Sequence, residues 1–390
     1  MSCLLTSQTF HDATLPTLYR HITVPSSYMF SKLLKHLSRY PDRGTLVRRL
    51  DFSHLSSVGL GRTQLMNTKI QNLTADTLLS CLELTPHLRE FLVQQHLQDD
   101  LSEAVIRKIF CGLPLLNAVD FCGASSSSFR SAFEAIFDPQ IPSLPSTFTI
   151  KRLSLHECNT LSAQVFEVLL PRLPYLTHLD VCNTTIEESA LTAIPKTARL
   201  THLNISRCYR LKGPAVVKFL TTHPAVRDTL VYLNLINDRL LSCSDVEKLL
   251  PLLPPTLRAL NMGGAKIIGE HVPLLVPLTK HVEELGLGST ELYMDDINSL
   301  FITPAPPSTK SGGGDSDGPD GGDLTQQEET GWSSHAVRYL DISGLPGVKP
   351  STLRSTDSCR FLLPAARPLK VLEIGDKLVK GLKDGVTTRQ

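Results

Sequence analysis

The sequence predicts an α/β solenoid, with a parallel sheet lining the concave side and helices outside, made by stacking one strand–helix unit many times. Three observations predict it. A unit of the form L-x-x-L-x-L-x-x-C/T recurs at residues 150–158 (IKRLSLHEC), 176–184 (LTHLDVCNT) and 200–208 (LTHLNISRC). The starts of these units lie 26 and then 24 residues apart, and a fixed period of this size marks a stacked repeat architecture. Inside each unit the apolar spacing switches from the period of a strand to that of a helix.

The strand comes first. Leu153 and Leu155 alternate with Arg152, Ser154 and His156, so the leucines point to the core and the polar residues to the opposite face. An apolar anchor follows, Leu161, Ile186 or Leu211 in successive units. Val165, Phe166, Leu169 and Leu170 then recur at helical spacing and predict the return helix. One strand and one helix cannot bury their apolar faces alone, but stacked neighbours make a continuous core. On these residues the chain after about residue 45 resembles leucine-rich-repeat proteins of the Cys-containing subtype. The resemblance implies a horseshoe solenoid.

The same phase runs along the chain. Units begin at Val47, Leu88, Leu116, Ile150, Leu176, Leu200, Leu230, Leu257, Val282, Val337 and Leu369, eleven in all. Pro86, Pro114, Pro174 and Pro255 each stand two residues before a strand-opening leucine, where they end the preceding helix. Ser244 and Glu247 have the spacing of a capping box. Glu187, Glu188, Asp295 and Asp296 place carboxylates in first turns. Residues 56–73 form a loop inside the first long step. Residues 303–335, rich in Gly, Pro, Ser and Asp, hold too few apolar residues to offset ordering entropy. They are expected to be a disordered insertion whose removal shifts the melting temperature little. Residues 381–390 (GLKDGVTTRQ) are expected to be unstructured.

Residues 1–45 are expected to be an N-terminal cap, and 46–390 the repeat domain. Leu4, Leu5, Phe10, Leu15, Leu18, Tyr19 and Ile22 make an amphipathic segment in which Pro16 breaks the helix or starts a second one. Leu4, Phe10, Pro16, Leu18, Tyr19, Arg20 and Ile22 resemble the last part of an F-box, in which such a pattern runs into the repeats. Together with the repeats, this resembles fungal-type F-box/leucine-rich-repeat proteins. The resemblance implies the substrate receptor of an SCF-type (cullin-RING) ubiquitin ligase, acting in ubiquitin-dependent degradation. The remnant would dock a Skp-type adaptor and cullin, and the concave face would hold the target. The first part of the F-box, which grips the adaptor, has no counterpart here, so adaptor binding is expected to be weak. The alternative is a repeat scaffold with no ubiquitin link.

Composition narrows the classes further. The 390 residues carry a formal net charge of +1 and 41% hydrophobic residues. This gives no prior for nucleic acid or an anionic membrane as partner. No apolar run approaches the roughly 18 residues of a spanning helix, and no secretory signal is visible. Nine scattered cysteines without a C-x-x-C pair fit a reducing cytoplasmic or nuclear compartment. There is no G-x-S-x-G, no G-x-x-x-x-G-K-[ST] and no H-E-x-x-H, so neither an enzyme nor a cofactor is expected.

With the phase set, side chains on the concave face fall into ladders. One ladder reads Asp51, Leu92, Asp120, Ser154, Asp180, Asn204, Asn234, Asn261, Gly286, Asp341 and Glu373. A second, two residues earlier, includes Arg49, Glu90, Arg152, His178, His202 and Tyr232. Strands about 4.8 Å apart would stack His178 on His202. His178, Asp180, His202, Asn204, Tyr232 and Asn234 are the candidate contacts for a protein or peptide target, with Tyr232 as anchor; an ordinary solvated face is the other reading. The paired histidines suggest binding that depends on pH near 6.5. His156, His178, His202, Asp180 and Cys182 are metal-ligand types in one neighbourhood, but parallel side chains on a flat sheet seldom converge into a tetrahedron.

Overall fold

Prolines place the strands. Pro86, Pro114 and Pro174 each hold the second position of a four-residue turn, closed by Leu88 N–H to Thr85 O at 3.2 Å, Leu116 N–H to Leu113 O at 3.1 Å and Leu176 N–H to Leu173 O at 3.3 Å. Proline's fixed φ suits that position. The leucine that closes each turn is buried, so the turn sets which residues of the following strand face the core. The computed structural model describes residues 6–55, 73–140, 144–237, 240–303, 331–332, 334–363 and 368–387. The expected loop at 56–72 and most of the expected insertion, 304–330, lie outside the described residues. The chain forms two compact units, Met1–Leu240 and Leu241–Gln390.

In the first unit β1 (His21–Thr23), β2 (Arg49–Asp51), β3 (Glu90–Gln94), β4 (Ala118–Cys122), β5 (Arg152–Ser154), β6 (His178–Asp180), β7 (His202–Asn204) and β8 (Tyr232–Asn234) form a parallel sheet in chain order. Helices make the return legs from β3 onward, at Glu103–Cys111, Ser127–Ile136, Ala163–Leu169, Glu188–Thr192 and Gly213–Thr222. Leu153, Leu155, Leu179 and Val181 are at most 2% exposed, as the alternation requires. The early repeats fill their core with rings: Phe91 and Phe121 lie 6.4 Å apart, and Phe121 meets Phe133 edge-on at 5.3 Å. The return leg after β5 contributes Val165, Phe166, Leu169 and Leu170, all buried.

In the second unit β9 (Ala259–Asn261), β10 (Glu284–Gly286), β13 (Tyr339–Asp341) and β14 (Val371–Glu373) pair in parallel in that order. Between them β11 (Ile302–Thr303) and β12 (Gly331–Trp332) form a separate antiparallel pair. That pair joins the two flanks of the sequence expected as an insertion.

All eleven expected strands are present, seven in the first unit and four in the second. Four local expectations need correction. β1 was not foreseen: it pairs in register with β2, His21 opposite Arg49, so the sheet starts inside the segment read as a cap. Pro16 does not break its helix. α1 (Gln8–Arg20) continues through it, because the C-terminal half is anchored by buried Leu15 and by Tyr19 Oη, which meets His36 Nε2 at 2.6 Å. The capping box lies two residues earlier than expected. Ser242 accepts from Asp245 N–H, and Asp245 accepts from Ser242 N–H at 3.1 Å; the shorter acid closes the box from a 5%-exposed site. Residues 381–387 are also not unstructured, and 388–390 lie outside the described residues. The former join a helix, Asp376–Thr387, where Leu378 and Leu382 are half-buried and Arg354 donates to Leu382 O at 2.9 Å.

Candidate protein-binding face

A strand of three residues exposes two side chains on its open face, so the first unit carries two ladders. The register pairs them as the repeat phase requires. Arg49, Glu90, Ala118, Arg152, His178, His202 and Tyr232 are neighbours in one row. Asp51, Leu92, Asp120, Ser154, Asp180, Asn204 and Asn234 form the other. The six candidate residues therefore do come together, on β6, β7 and β8.

In the first row the rings stack. His178 and His202 have centroids 4.1 Å apart and planes 9° apart, and Tyr232 continues the stack at 5.9 Å and 16°. Threonines hold the imidazoles in place: Thr177 Oγ1 lies 2.9 Å from His178 Nδ1, and Thr201 Oγ1 lies 2.9 Å from His202 Nδ1. Burial lowers the pKa of both histidines from their usual value, and the neighbouring His202 and Arg152 lower His178 further. Both rings are therefore mainly neutral at pH 7.

The other half of this row is ionic. Arg49 donates to Asp51 at 2.7 Å and to Glu90 at 3.1 Å, while Arg152 donates to the second Glu90 oxygen at 2.7 Å. Arg152 crosses a whole strand to do so, because the residue between them is Ala118. Sequence reasoning missed this network. Its signal was an alanine in a row of long side chains. Burial works to raise the pKa of Asp51, but hydrogen bonds from Ser53 and Arg49 outweigh it, and the carboxyl sits below its usual range.

The Asp/Asn row has a structural task that its position alone did not reveal. Each side chain accepts the backbone N–H two residues on: Asp120 from Cys122 at 3.0 Å, Asp180 from Cys182 at 3.0 Å, Asn204 from Ser206 at 3.2 Å and Asn234 from Ile236 at 3.1 Å. These Asx turns end the strands. The next residue enters the left-handed region, at φ 60° for Glu157, 53° for Asn183 and 55° for Arg207, with Gly123 at the same point. Its N–H then bonds the adjacent repeat, as Asn183 does to Ser206 O at 2.9 Å. The repeat cysteines come one step later. Cys158 Sγ donates to Phe121 O at 3.2 Å and Cys208 Sγ to Val181 O at 3.0 Å, both from fully buried positions. Burial pushes the Cys208 thiol up to about 11, so it serves as a small buried donor, not a nucleophile.

Between the rows lies a recess of about 360 Å³, lined by residues from β2 to β8 that include Ala118, Asp120, Arg152, Asp180, His202 and Tyr232. Asp120 is held above its usual pKa by burial and by the nearby Asp180 charge, against hydrogen bonds from Ser154 and Cys122. Asp180 accepts from Asn204 Nδ2 at 3.0 Å and lies 3.3 Å from His156 Nδ1. Among the described residues, no group of three or more His, Cys, Asp or Glu is arranged to hold a metal ion, and no helix is long and apolar enough to cross a membrane.

The residues that resemble an F-box are partly packed. Tyr19 and Ile22 are half-buried, Phe10 and Leu18 are 60% and 49% exposed, Pro16 lies on the outside of α1, and Leu4 is outside the described residues.

Comparison with known proteins supplies the relatives. No family model matches the chain. It is 33% identical over 250 residues, 60% of its length, to the F-box protein YLR352W of Saccharomyces cerevisiae, and it spans 31% of that relative. The structure of a yeast Rad7 and Elc1 complex aligns with 95% of this chain and 90% of its own at a TM-score of 0.49 and 15% identity. With a parallel strand–helix stack in each unit and a repeat unit that sets the register, each unit has a leucine-rich-repeat fold, and the chain is similar over 60% of its length to a yeast F-box protein.

Proposed function

We propose that this chain is a protein-binding module, the target-holding part of a ubiquitin-ligase substrate receptor of the F-box type. It has no catalytic step of its own. The target lies on the open face of the first unit's sheet, and ubiquitin transfer belongs to partner proteins that this chain brings close. The observation that carries the reading is the stacked row His178, His202 and Tyr232 beside a recess of about 360 Å³. Its side chains stand on short rigid strands, so their spacing is set before binding and little ordering cost remains. The F-box pattern around α1, and the similarity to a yeast F-box protein, support the ligase link.

Two experiments separate the parts of this proposal. Co-purification with a Skp-type adaptor and a cullin tests the ligase link. A target recovered by proximity labelling is then measured against Tyr232→Ala and the His178→Ala/His202→Ala pair. Loss of roughly 1–3 kcal/mol with an unchanged fold supports the face. If both variants bind like the parent while changes on the helical side abolish binding, the face is wrong. Target binding without any adaptor would leave a scaffold in place of a ligase receptor.

A further inference from the structure

The charges around the recess are unevenly matched. Arg49 is already satisfied by Asp51 and Glu90, and Arg152 by Glu90. Asp120 and Asp180 also line the recess. Their bonds come from Ser154, Cys122, Cys182 and Asn204, all neutral groups, and from His156, which bears charge only when protonated. The lining thus holds two guanidinium groups already paired with Asp51 and Glu90 beside it, and two carboxylates with no cation of their own among these bonds. The ring wall does not redress this, since His178 and His202 remain mainly neutral at pH 7. The floor beneath is apolar at Leu92 and Ala118, the apolar side chains of the two rows that line it.

We propose that the recess receives an arginine or lysine side chain from a basic segment of the target, with Asp120 and Asp180 as its counter-charges and the row of His178, His202 and Tyr232 as its wall. This rests on the reading that the target binds this face, and it adds the chemistry selected there. Charge complementarity carries the argument: a cation relieves the repulsion between two carboxylates that now face each other across Ser154. The aliphatic stem of either residue covers the apolar floor. An acidic or phosphorylated segment would instead add a third negative group.

The test uses the full chain and three labelled peptides, (Gly-Arg-Gly-Ser)₃, (Gly-Gln-Gly-Ser)₃ and (Gly-Glu-Gly-Ser)₃, followed by fluorescence anisotropy at pH 7.5. The informative variant is Asp120→Asn/Asp180→Asn. Asparagine already fills this ladder position at Asn204 and Asn234 and makes the same turn bond, so the variant keeps the turns; it loses the two charges together with the bond that Asp180 accepts from Asn204, and the glutamine peptide controls for that local change. The arginine peptide should bind best, and the double variant should weaken it at least about tenfold while leaving the glutamine peptide unchanged. Preference for the glutamate peptide, no preference, or arginine-peptide binding that survives the double variant would each overturn the proposal. The target-binding face is judged separately by Tyr232→Ala against the recovered target. A target lost in Tyr232→Ala but retained in Asp120→Asn/Asp180→Asn therefore rejects the cation and keeps the face.

Discussion

Asn204 stands where the turn row and the recess meet, and its replacement separates structural from electrostatic work. It is 9% exposed. Its Oδ1 accepts from Ser206 N–H at 3.2 Å and from Ser206 Oγ at 2.7 Å, and its Nδ2 donates to Asp180 Oδ2 at 3.0 Å. Asn204→Ala removes a hydrogen bond to a charged group, worth roughly 1.5–3 kcal/mol, and strands a buried N–H, which costs roughly 1–3 kcal/mol. The expected loss is about 3 kcal/mol near pH 7. Asn204→Asp keeps the turn acceptor but sets a second carboxylate against Asp180. Two charges about 4 Å apart cost about 4 kcal/mol at an effective dielectric of 20. The Asp180 side chain is 34% exposed, so solvent screening brings this to about 2 kcal/mol. That share should disappear on acidification through the carboxylate range. Native-state hydrogen exchange at Ser206 N–H is the assay, because it reports locally in a repeat stack that need not unfold in one step. Exchange should be about 100-fold faster in Asn204→Ala. If Ser206 exchanges within a factor of about two of the parent, or if Asn204→Asp is equally unstable at pH 4 and pH 7, the turn row is not the strand terminator described above.

Three further outcomes follow. Phe121→Ala, which removes a fully buried ring in contact with Phe91 and Phe133, should cost about 3–5 kcal/mol in urea unfolding of the first unit; a loss under about 1 kcal/mol would show that the ring cluster is not the core of the early repeats. Glu157 at φ 60° adopts a conformation that costs a non-glycine residue about 1 kcal/mol, so Glu157→Gly should raise stability by a few tenths to about 1 kcal/mol, whereas Gly123→Val should lower it; a destabilised Glu157→Gly would mean that the side chain contributes more than its backbone costs. The folded-state pKa values of His178 and His202 lie below the unfolded value, so their contribution to stability is fully present above about pH 6.5 and is lost as pH falls through the folded values. Imidazole NMR titration should place both midpoints below 6.5, and His202→Ala should move the His178 midpoint upward; midpoints above 6.5 would contradict the burial and the stack.

The sequence by itself determined the strand phase, and with it which side chains share a row. In a parallel stack with one strand per repeat, every repeat contributes the same position to the same ladder. His178, His202 and Tyr232 could therefore be aligned by counting from Leu176, Leu200 and Leu230, and the register pairs them in that way. Only the tertiary structure decided what those rows do. Glu90 bridges Arg49 and Arg152 because Ala118 leaves a gap in an intervening strand, a relation between residues 62 positions apart that no single repeat encodes. The Asp and Asn side chains turn back to their own strand ends, and whether an exposed amide faces a partner or its own backbone depends on the left-handed residues that follow. Two of these, Glu157 and Arg207, belong to types that do not mark such turns. β1 stayed hidden because three residues without a repeat around them carry no period, and their pairing with β2 comes from the neighbouring strand. Pro16 and the C-terminal helix were misread for the same physical reason: local propensity opposed the helix, and packing at Leu15, Tyr19 and Leu382 outweighed it.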